Sequence, residues 1–317
     1  MIRGYWLRDG RIWSEIITID LFEALDVRKL IWLDLLAPTP EEVALVDKKL
    51  GIELPTRQET EEIEFTSRYW EDASSITINT YFFVRQDAHA YNETISCTVK
   101  DHFVVTVRFN EMRIFDDFSR KMTLDPDSYP TGLHVLSGIL GTRIDYDADI
   151  LEMLSREIAT VGKLNSKEIA STEKFLALVT AFEHINITLR ENLTDKQRIL
   201  SSLLKSNKIP EYARREFTLM MKDVNSLVTS ANFNFERLDY LQNLFLNFLS
   251  IEQNKVIKIF TVMSVIFLPP TLIASIYGMN FHTLPELRWP YGYPMAIGLI
   301  ILSAILPLYV FRRKGWL

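Results

Sequence analysis

Neutral oxygen atoms recur along one side of a long apolar stretch near the end of the chain. The stretch from Ile259 to Tyr277 contains no charged residue, and the hydroxyl side chains of Thr261, Ser264, Thr271 and Ser275 are spaced three, seven and four residues apart. The positions that share this side are Ile257, Thr261, Ser264, Leu268, Thr271, Ser275 and Gly278. Residues at this spacing lie on one face of a helix, so the pattern predicts a semi-polar helical face.

The composition of this face favours a cation that keeps its water. The stretch holds no Asp, Glu, His or Cys, which excludes a cage of charged ligands within it. Mg²⁺ gives up its hydration shell reluctantly, so neutral oxygens that hydrogen-bond to the shell suit it, and Ile257, Phe260 and Leu268 would add hydrophobic constrictions. The alternative is that the hydroxyls only bond to the carbonyl four residues back or join neighbouring helices.

Two apolar stretches, Ile259–Tyr277 and Pro294–Phe311, are long enough to cross the roughly 30 Å hydrocarbon core of a membrane at about 1.5 Å per residue. Because only a short loop joins them, the front of the chain and its tail are expected on the same side. The basic residues that flank the spans on that side are Lys255, Lys258, Arg312, Arg313 and Lys314. The loop offers only Arg288, offset by Glu286, so the positive-inside rule predicts cytoplasmic N- and C-termini in the cell (inner) membrane.

The composition indicates a large soluble domain that carries a small membrane anchor. The chain has 317 residues, of which 48% are hydrophobic, and its mean hydropathy is only +0.04. The net charge of −6 argues against nucleic acid as a partner, and the single Cys97 excludes an internal disulfide framework. Met1–Trp6 lacks the apolar run of a secretory signal. The sequence contains neither a phosphate-binding glycine loop nor a nucleophile elbow, so these motifs do not predict an enzyme.

The first 130 or so residues have the mixed pattern of an α/β domain. Ile31–Leu36 reads as a buried strand, and Thr39-Pro40-Glu41-Glu42 supplies an N-cap, an N1 proline and a capping-box glutamate for a helix to about Lys49. Ser75–Val84 and the pair Thr94–Lys100 and Phe103–Arg108 are typical of sheet.

Long helices are predicted after Pro130, over Leu133–Glu168, over Ser171–Lys205 and from Glu211 onward. If the last one continues to Tyr277, it is a rod of about 100 Å. Its predicted coiled-coil seam consists of Val224, Val228, Ala231, Phe235, Leu238, Gln242, Phe245, Leu249, Glu252 and Val256. So long an amphipathic rod needs partners, either its own earlier helices or other copies of the chain.

The junction after the first span resembles a known family. Tyr277-Gly278-Met279-Asn280, followed by Leu284–Leu287 and Trp289, is similar to the motif of the CorA family of divalent cation channels. Ile251–Lys255, Phe267–Thr271 and the tail ending Gly315-Trp316-Leu317 extend the similarity, which is closest over Ile251–Leu317.

The resemblance implies an α+β cytoplasmic domain, a long helical stalk and two C-terminal transmembrane helices in a funnel-shaped homopentamer within membrane lipid. The implied segments are 1–130 for the α/β domain, 131–257 for the stalk, 258–278 for the pore-lining span, 279–293 for the outer loop, 294–312 for the second span and 313–317 for the basic tail. Hydrated Mg²⁺, and also Co²⁺ or Ni²⁺, would enter down the membrane potential and be controlled by intracellular Mg²⁺.

The resemblance also implies residue roles. Gly278, Met279 and Asn280 form the selectivity filter, with Glu286 at the outer mouth and Asn254 at the cytoplasmic mouth. The pore-lining positions are Asn254, Ile257, Thr261, Ser264, Leu268, Thr271 and Ser275. Several relatives carry methionine where this chain has Leu268 and Ile257. The first alternative function is zinc transport, as in a related branch of the superfamily, and Met279 argues against that branch.

By weak analogy with the family's regulatory sites, Mg²⁺ is also expected to bind between subunits as a regulatory ligand, at Asp87 and Asp223. The carboxylate run Glu59, Glu61, Glu62, Glu64, Glu71 and Asp72 could bind cations loosely, but the preferred prediction is an ordinary charged helix face. The competing class is a non-conducting, membrane-tethered coiled-coil scaffold or receptor, which would not require the semi-polar face.

Overall fold

The computed structural model describes residues 1–18, 22, 26–57, 68–86, 89–162, 172–279, 285 and 289–315. The chain divides into two compact units, Met1–Gln242 and Asn243–Leu317. The predicted Asp87, Asn280 and Glu286 lie outside the described residues, as do Glu59, Glu61, Glu62 and Glu64.

The first unit is built on a mixed sheet. Its strands are β1 (Ile2–Arg8), β2 (Arg11–Ile17), β3 (Leu30–Leu36), β4 (Tyr69–Glu71), β5 (Ser75–Gln86), β6 (His89–Lys100) and β7 (Phe103–Arg108). Their order is β2-β1-β3-β7-β6-β5-β4, with β3 and β7 parallel and the other neighbours antiparallel. The predicted strands at Ile31–Leu36, Ser75–Val84, Thr94–Lys100 and Phe103–Arg108 are confirmed.

Helix α1 (Pro40–Leu50) begins as the sequence predicts. The Thr39 hydroxyl accepts a hydrogen bond from the Glu42 amide (3.2 Å), and the Glu42 carboxylate accepts one from the Thr39 amide (2.8 Å). This reciprocal capping box satisfies two amides that the first helical turn cannot pair. Gly51, at φ 61°, ends the helix in the left-handed region that glycine tolerates.

The described helices after the sheet are α2 (Arg113–Leu124), α3 (Gly132–Val161), α4 (Thr172–Lys205), α5 (Glu211–Tyr277) and α6 (Gly292–Arg313). The sequence analysis missed β1, β2 and α2, and it extended α3 to Glu168, whereas the structure ends this helix at Val161. Gly162 follows directly, and glycine is a poor helix former.

The predicted seam of α5 is split between two faces. Val224, Ala231, Leu238 and Phe245 are buried, and the buried stripe continues through Asn234 and Leu241. The alternate predicted positions are more open, and Phe235 and Leu249 are each 38% exposed. One side of the helix thus packs within the chain, while large apolar side chains on the other sides stay uncovered.

Two groups of buried charged residues in the first unit are held by close partners. The Asp34 carboxylate accepts hydrogen bonds from Thr106 Oγ1 (2.7 Å), Arg108 Nε (3.1 Å) and Arg108 Nη2 (2.8 Å). A second buried group joins Arg143, Asp147 and Lys196, whose Nζ lies 3.1 Å from Asp147 Oδ2. Burial lowers the pKa of Lys196, and the Asp147 carboxylate opposes that shift.

The acidic run is not a helix face where the structure describes it. Glu71 lies in β4, and Asp72 forms the turn to β5. The Asp72 carboxylate accepts hydrogen bonds from the amides of Ser74 and Ser75, both at 2.7 Å, and from the Ser75 hydroxyl at 2.6 Å. These bonds hold the pKa of Asp72 down at about 2. The helix-face prediction is therefore wrong for these two residues, because the carboxylate binds its own turn.

Candidate functional site

The candidate ion pathway lies on the apolar part of α5, within the Asn243–Leu317 unit. Every predicted pore-lining position is exposed in the single chain, and Ile257 and Leu268 are 52% and 67% exposed. None of the residues in the apolar window of α5 is buried, in contrast to the core helix of a soluble protein. Helices α5 and α6 are the two described helices that are long and apolar enough to cross a membrane.

The opposite side of the span is partly covered. Val262, Ile266, Pro270 and Ile273 are half-buried, and at about 100° per residue they lie roughly opposite Ser264 and Thr271. On α6 the less exposed residues also form a stripe, which consists of Gly292, Met295, Ala296, Ile300, Ser303, Ala304, Pro307 and Phe311. On α5 the semi-polar face is thus the more exposed side, and the half-buried residues lie on the other side.

Two hydroxyls on the semi-polar face use their hydrogen internally. Thr261 Oγ1 donates to the Ile257 carbonyl (2.8 Å), and Thr271 Oγ1 donates to the Phe267 carbonyl (2.7 Å). A hydroxyl has one hydrogen to donate and two lone pairs to accept with. Once its hydrogen is bound to the backbone, each exposed threonine therefore offers only acceptors to its surroundings. Donating a hydrogen bond to the backbone is therefore compatible with accepting hydrogen bonds from water molecules.

Consecutive prolines interrupt the hydrogen-bond ladder of α5, a feature whose consequence the sequence analysis overlooked. Pro269 and Pro270 lie inside α5, and a proline nitrogen carries no hydrogen. The usual helical donors to the carbonyls of Val265 and Ile266, four residues earlier, are therefore missing. The signal was present in the sequence, since Pro-Pro within a predicted helix removes two such donors.

The first two residues of the predicted filter end the helix. The Gly278 amide donates to the Ala274 carbonyl (2.9 Å), and the Met279 amide donates to the Ile276 carbonyl at 3.3 Å. A Cβ added at Gly278 would lie 3.1 Å from the Ala274 oxygen, which is a tight contact. Met279 is 49% exposed. The structure thus brings Gly278 and Met279 to the end of the helix whose exposed side carries the hydroxyls, while the position of Asn280 is not described.

The other end of this segment is polar and exposed. Asn254 and its neighbours from Ile251 to Phe260 are exposed in the chain, and Lys255 Nζ lies 4.0 Å from the Glu252 carboxylate. Arg312 and Arg313 occupy the last turn of α6, where positive charge favours the negative end of the helix dipole.

Asp223 lies in the other unit, on α5. It lines an open cavity of about 330 Å³ together with Asp145 and Glu216. Among the described residues, no group of three or more His, Cys, Asp and Glu side chains is close enough to hold a metal ion. Asp223 is therefore not part of a complete metal site in the described part of one chain.

Known proteins share this fold and sequence pattern. The family model of CorA-like Mg²⁺ transporter proteins matches residues 28–313. The magnesium transport protein CorA of Wolinella succinogenes is 40% identical over 294 residues, which is 90% of this chain and 91% of that protein. The protein of the same name from Pasteurella multocida is 33% identical, and the match covers 100% of both chains.

Solved structures support the same fold. The complete structure of the CorA magnesium transporter from Methanocaldococcus jannaschii matches with a TM-score of 0.83 over 100% of this chain and 99% of that one. Its sequence is 18% identical, so the match concerns the fold: an α+β sheet domain, a long helix and two apolar C-terminal helices.

Proposed function

Because the chain belongs to the CorA-like Mg²⁺ transporter family, we propose that it conducts hydrated Mg²⁺ through a membrane along the semi-polar face of α5. The relatives that match over nearly the whole chain are named magnesium transport proteins. The substrate is thus Mg²⁺, and no chemical step is catalysed.

One observation carries the proposal: the exposed face of the first span presents hydrogen-bond acceptors and no charge. Water molecules bound to a cation point their hydrogens outward, so a hydrated ion needs acceptors around it. Thr261 and Thr271 supply acceptors because their hydrogens already bind the backbone. Because Mg²⁺ keeps several waters in most of its complexes, such a lining lets the ion pass without removing its shell.

The pathway requires several copies of the chain, since one helix cannot enclose water. A homopentamer with five copies of α5 around its axis is the proposed assembly. Its support is the uncovered apolar surface of α5, which includes Phe233, Tyr240 and Leu246, each about 60% exposed in the single chain. Several large apolar side chains left uncovered on the part of a helix that precedes a membrane span are typical of a subunit interface.

The outer filter would be formed by Gly278, Met279 and Asn280 from each copy, with Glu286 raising the cation concentration at the mouth. Asn254 would lie at the cytoplasmic entrance, and Ile257 and Leu268 would form constrictions that close by losing water. Lys255, Lys258 and the basic end of α6 support a cytoplasmic location of both termini in the cell membrane.

The membrane potential would drive influx. An inside-negative potential of 100 mV supplies about 4.6 kcal/mol for a divalent ion, at about 2.3 kcal/mol per charge. Intracellular Mg²⁺ would bind between subunits at Asp223 and Asp87 and stabilise the closed ring, because a ligand shifts an equilibrium toward the state it binds better. The exposure of Asp223 beside other carboxylates supports this part of the proposal.

The test is Asn280→Ala in purified protein reconstituted into liposomes. Removing a ring of amide oxygens should reduce Mg²⁺ uptake by at least tenfold, which corresponds to about 1.4 kcal/mol of lost stabilisation. Particle mass should remain that of five 36.9 kDa chains, because the proposal assigns Asn280 to the filter and not to assembly. Asn207→Ala, at an exposed turn between α4 and α5, is the matched control and should keep normal uptake.

Normal uptake by a correctly assembled Asn280→Ala protein would contradict the filter assignment. Repeating the assay with Co²⁺, Ni²⁺ and Zn²⁺ in turn measures the metal preference. Zn²⁺ uptake in the absence of Mg²⁺ uptake would assign the chain to zinc transport instead. A conducting monomer or dimer would contradict the central pathway.

A further inference from the structure

A second cavity lies far along the chain from the span, on the Met1–Gln242 unit. It is open, has a volume of about 450 Å³, and lies beside β5 and α4. Its lining residues are Arg68, Tyr81, Arg190, Glu191, Thr194, Asp195 and Arg198. The volume falls in the range of small-molecule sites, and arginine predominates among the charged groups.

The carboxylate of Asp195 is already bonded to the sheet. Its Oδ2 accepts hydrogen bonds from the Thr80 hydroxyl and the Tyr81 amide, both at 2.9 Å. Its Oδ1 lies 3.8 Å from Arg68 Nη1, which is too far for a hydrogen bond. Asp195 therefore neutralises part of the charge of Arg68 without satisfying its hydrogens.

Arg68 is the unusual member of the cavity. It is 5% exposed, its guanidinium lies 3.8 Å from the centre of the Tyr81 ring, and its Nη1 has no hydrogen-bond partner in the described part of the chain. A buried guanidinium N–H without an acceptor is unfavourable, and buried polar groups in native proteins are nearly always paired. Stacking on Tyr81 fixes the plane of the group, so its free hydrogens are held ready for an external acceptor.

Two more arginines extend the positive surface along α4. Arg190 and Arg198 are exposed, and the structure shows no ion pair for either among the residues it describes. They are two helical turns apart, about 12 Å along the axis, with Thr194 between them. The nearby Glu191 carries a single negative charge, which these two arginines outnumber.

We propose that this arginine cavity binds a phosphate chain, either inorganic polyphosphate or the triphosphate of a nucleotide. Guanidinium groups match phosphate oxygens in pairs, which favours phosphate over a simple halide. The distance of about 12 Å between Arg190 and Arg198 exceeds the size of one phosphate and suits a chain of several. The buried Arg68 would bind one end, and its unpaired Nη1 would gain its missing acceptor. This site is independent of the ion pathway.

The test is isothermal titration of the full-length, detergent-solubilised protein in a buffer free of divalent cations, since polyphosphates chelate them. Sodium tripolyphosphate should bind saturably and at least tenfold more tightly than orthophosphate, and affinity should fall as salt screens the charges. ATP tests the source of the phosphates: tighter binding than tripolyphosphate indicates a nucleotide site, and equal or weaker binding indicates the phosphate chain alone.

The double variant Arg190→Gln with Arg198→Gln should weaken tripolyphosphate binding by at least tenfold. Both residues are exposed, so the fold should be retained, which a thermal melt of the same sample checks. Arg156→Gln, an exposed arginine on α3 away from the cavity, is the control and should bind normally. Absence of saturable binding to the wild-type protein, or wild-type affinity in the double variant, would overturn the proposal.

Discussion

Threonine serves two different purposes in the two units of this protein. Thr106, in the sheet, is fully buried, and its hydroxyl accepts from Trp32 Nε1 (2.9 Å) while it donates to Asp34 Oδ1 (2.7 Å). Thr271, in the first span, is exposed and donates only to the carbonyl of its own helix. The first hydroxyl both donates and accepts inside the protein, whereas the second keeps its acceptors open to whatever lies outside the chain.

Charge follows the same division. The first unit buries Asp34, Arg108, Arg143, Asp147 and Lys196, because each has an oppositely charged neighbour within the core. The stretch Ile259–Tyr277 contains no charge at all. These buried charges of the first unit are therefore paired inside the fold, whereas the exposed hydroxyls of the span are the ones assigned to the proposed ion pathway. Variants at matched positions can test this distinction.

The largest effect is expected from Asp34→Ala. The change leaves the Arg108 guanidinium buried without its carboxylate, and breaking a buried ion pair from one side costs about 3–5 kcal/mol of unfolding free energy. Thermal and urea unfolding of the full-length protein, followed by circular dichroism, measure the loss. Glu152→Ala removes an exposed ion pair with Arg156 and should cost less than about 1 kcal/mol. Equal effects of the two changes would contradict the assignment of Asp34 to the core.

A smaller loss of stability is expected from Thr106→Val, which keeps the shape and removes the hydroxyl. Trp32 Nε1 loses its acceptor and Asp34 loses one donor, so about 2 kcal/mol of unfolding free energy should disappear. Mg²⁺ uptake per folded protein should not change, because the residue is remote in sequence from the span and buried. A Thr106→Val protein that is as stable as wild type would show that these hydrogen bonds contribute nothing.

The sequence predicts best where one local rule decides the structure. The capping box at Thr39 and Glu42 depends on residues three apart, and the hairpin of β6 and β7 depends on strand residues around a two-residue turn, so both are recognisable. The absence of charge between Ile259 and Tyr277 likewise predicts a span without any long-range information.

Other features depend on tertiary packing and escaped the sequence analysis. Helix α2 places Ile114, Phe115, Phe118 and Met122 on one buried face, but twelve residues of this kind also fit other structures. The seam of α5 follows two overlapping heptad registers, and only packing selects Asn234 and Leu241 for burial over Phe235 and Gln242. The arginine cavity joins Arg68 to residues more than a hundred positions later, a proximity that no local pattern reveals.

The sharpest comparison is the same substitution in the span, Thr271→Val. Unfolding free energy should change by less than about 0.5 kcal/mol, because the hydroxyl is exposed and binds only its own helix. Uptake of Mg²⁺ in liposomes should fall, since one acceptor disappears from every copy of the pathway at once. If the lost ring raises the barrier by about 1 kcal/mol, the rate falls about fivefold, at 1.36 kcal/mol per factor of ten.

Ser303→Ala provides the control within the membrane. The Ser303 hydroxyl also bonds to its own helix, at 2.8 Å from the Ile300 carbonyl, but it lies on the half-covered side of α6. Its loss should leave uptake unchanged, because the proposed pathway follows α5 and not α6. If Thr271→Val and Ser303→Ala reduce uptake equally, hydroxyls in both spans act only on the helices. If Thr271→Val alone reduces uptake while Thr106→Val alone reduces stability, the two uses of threonine are separated.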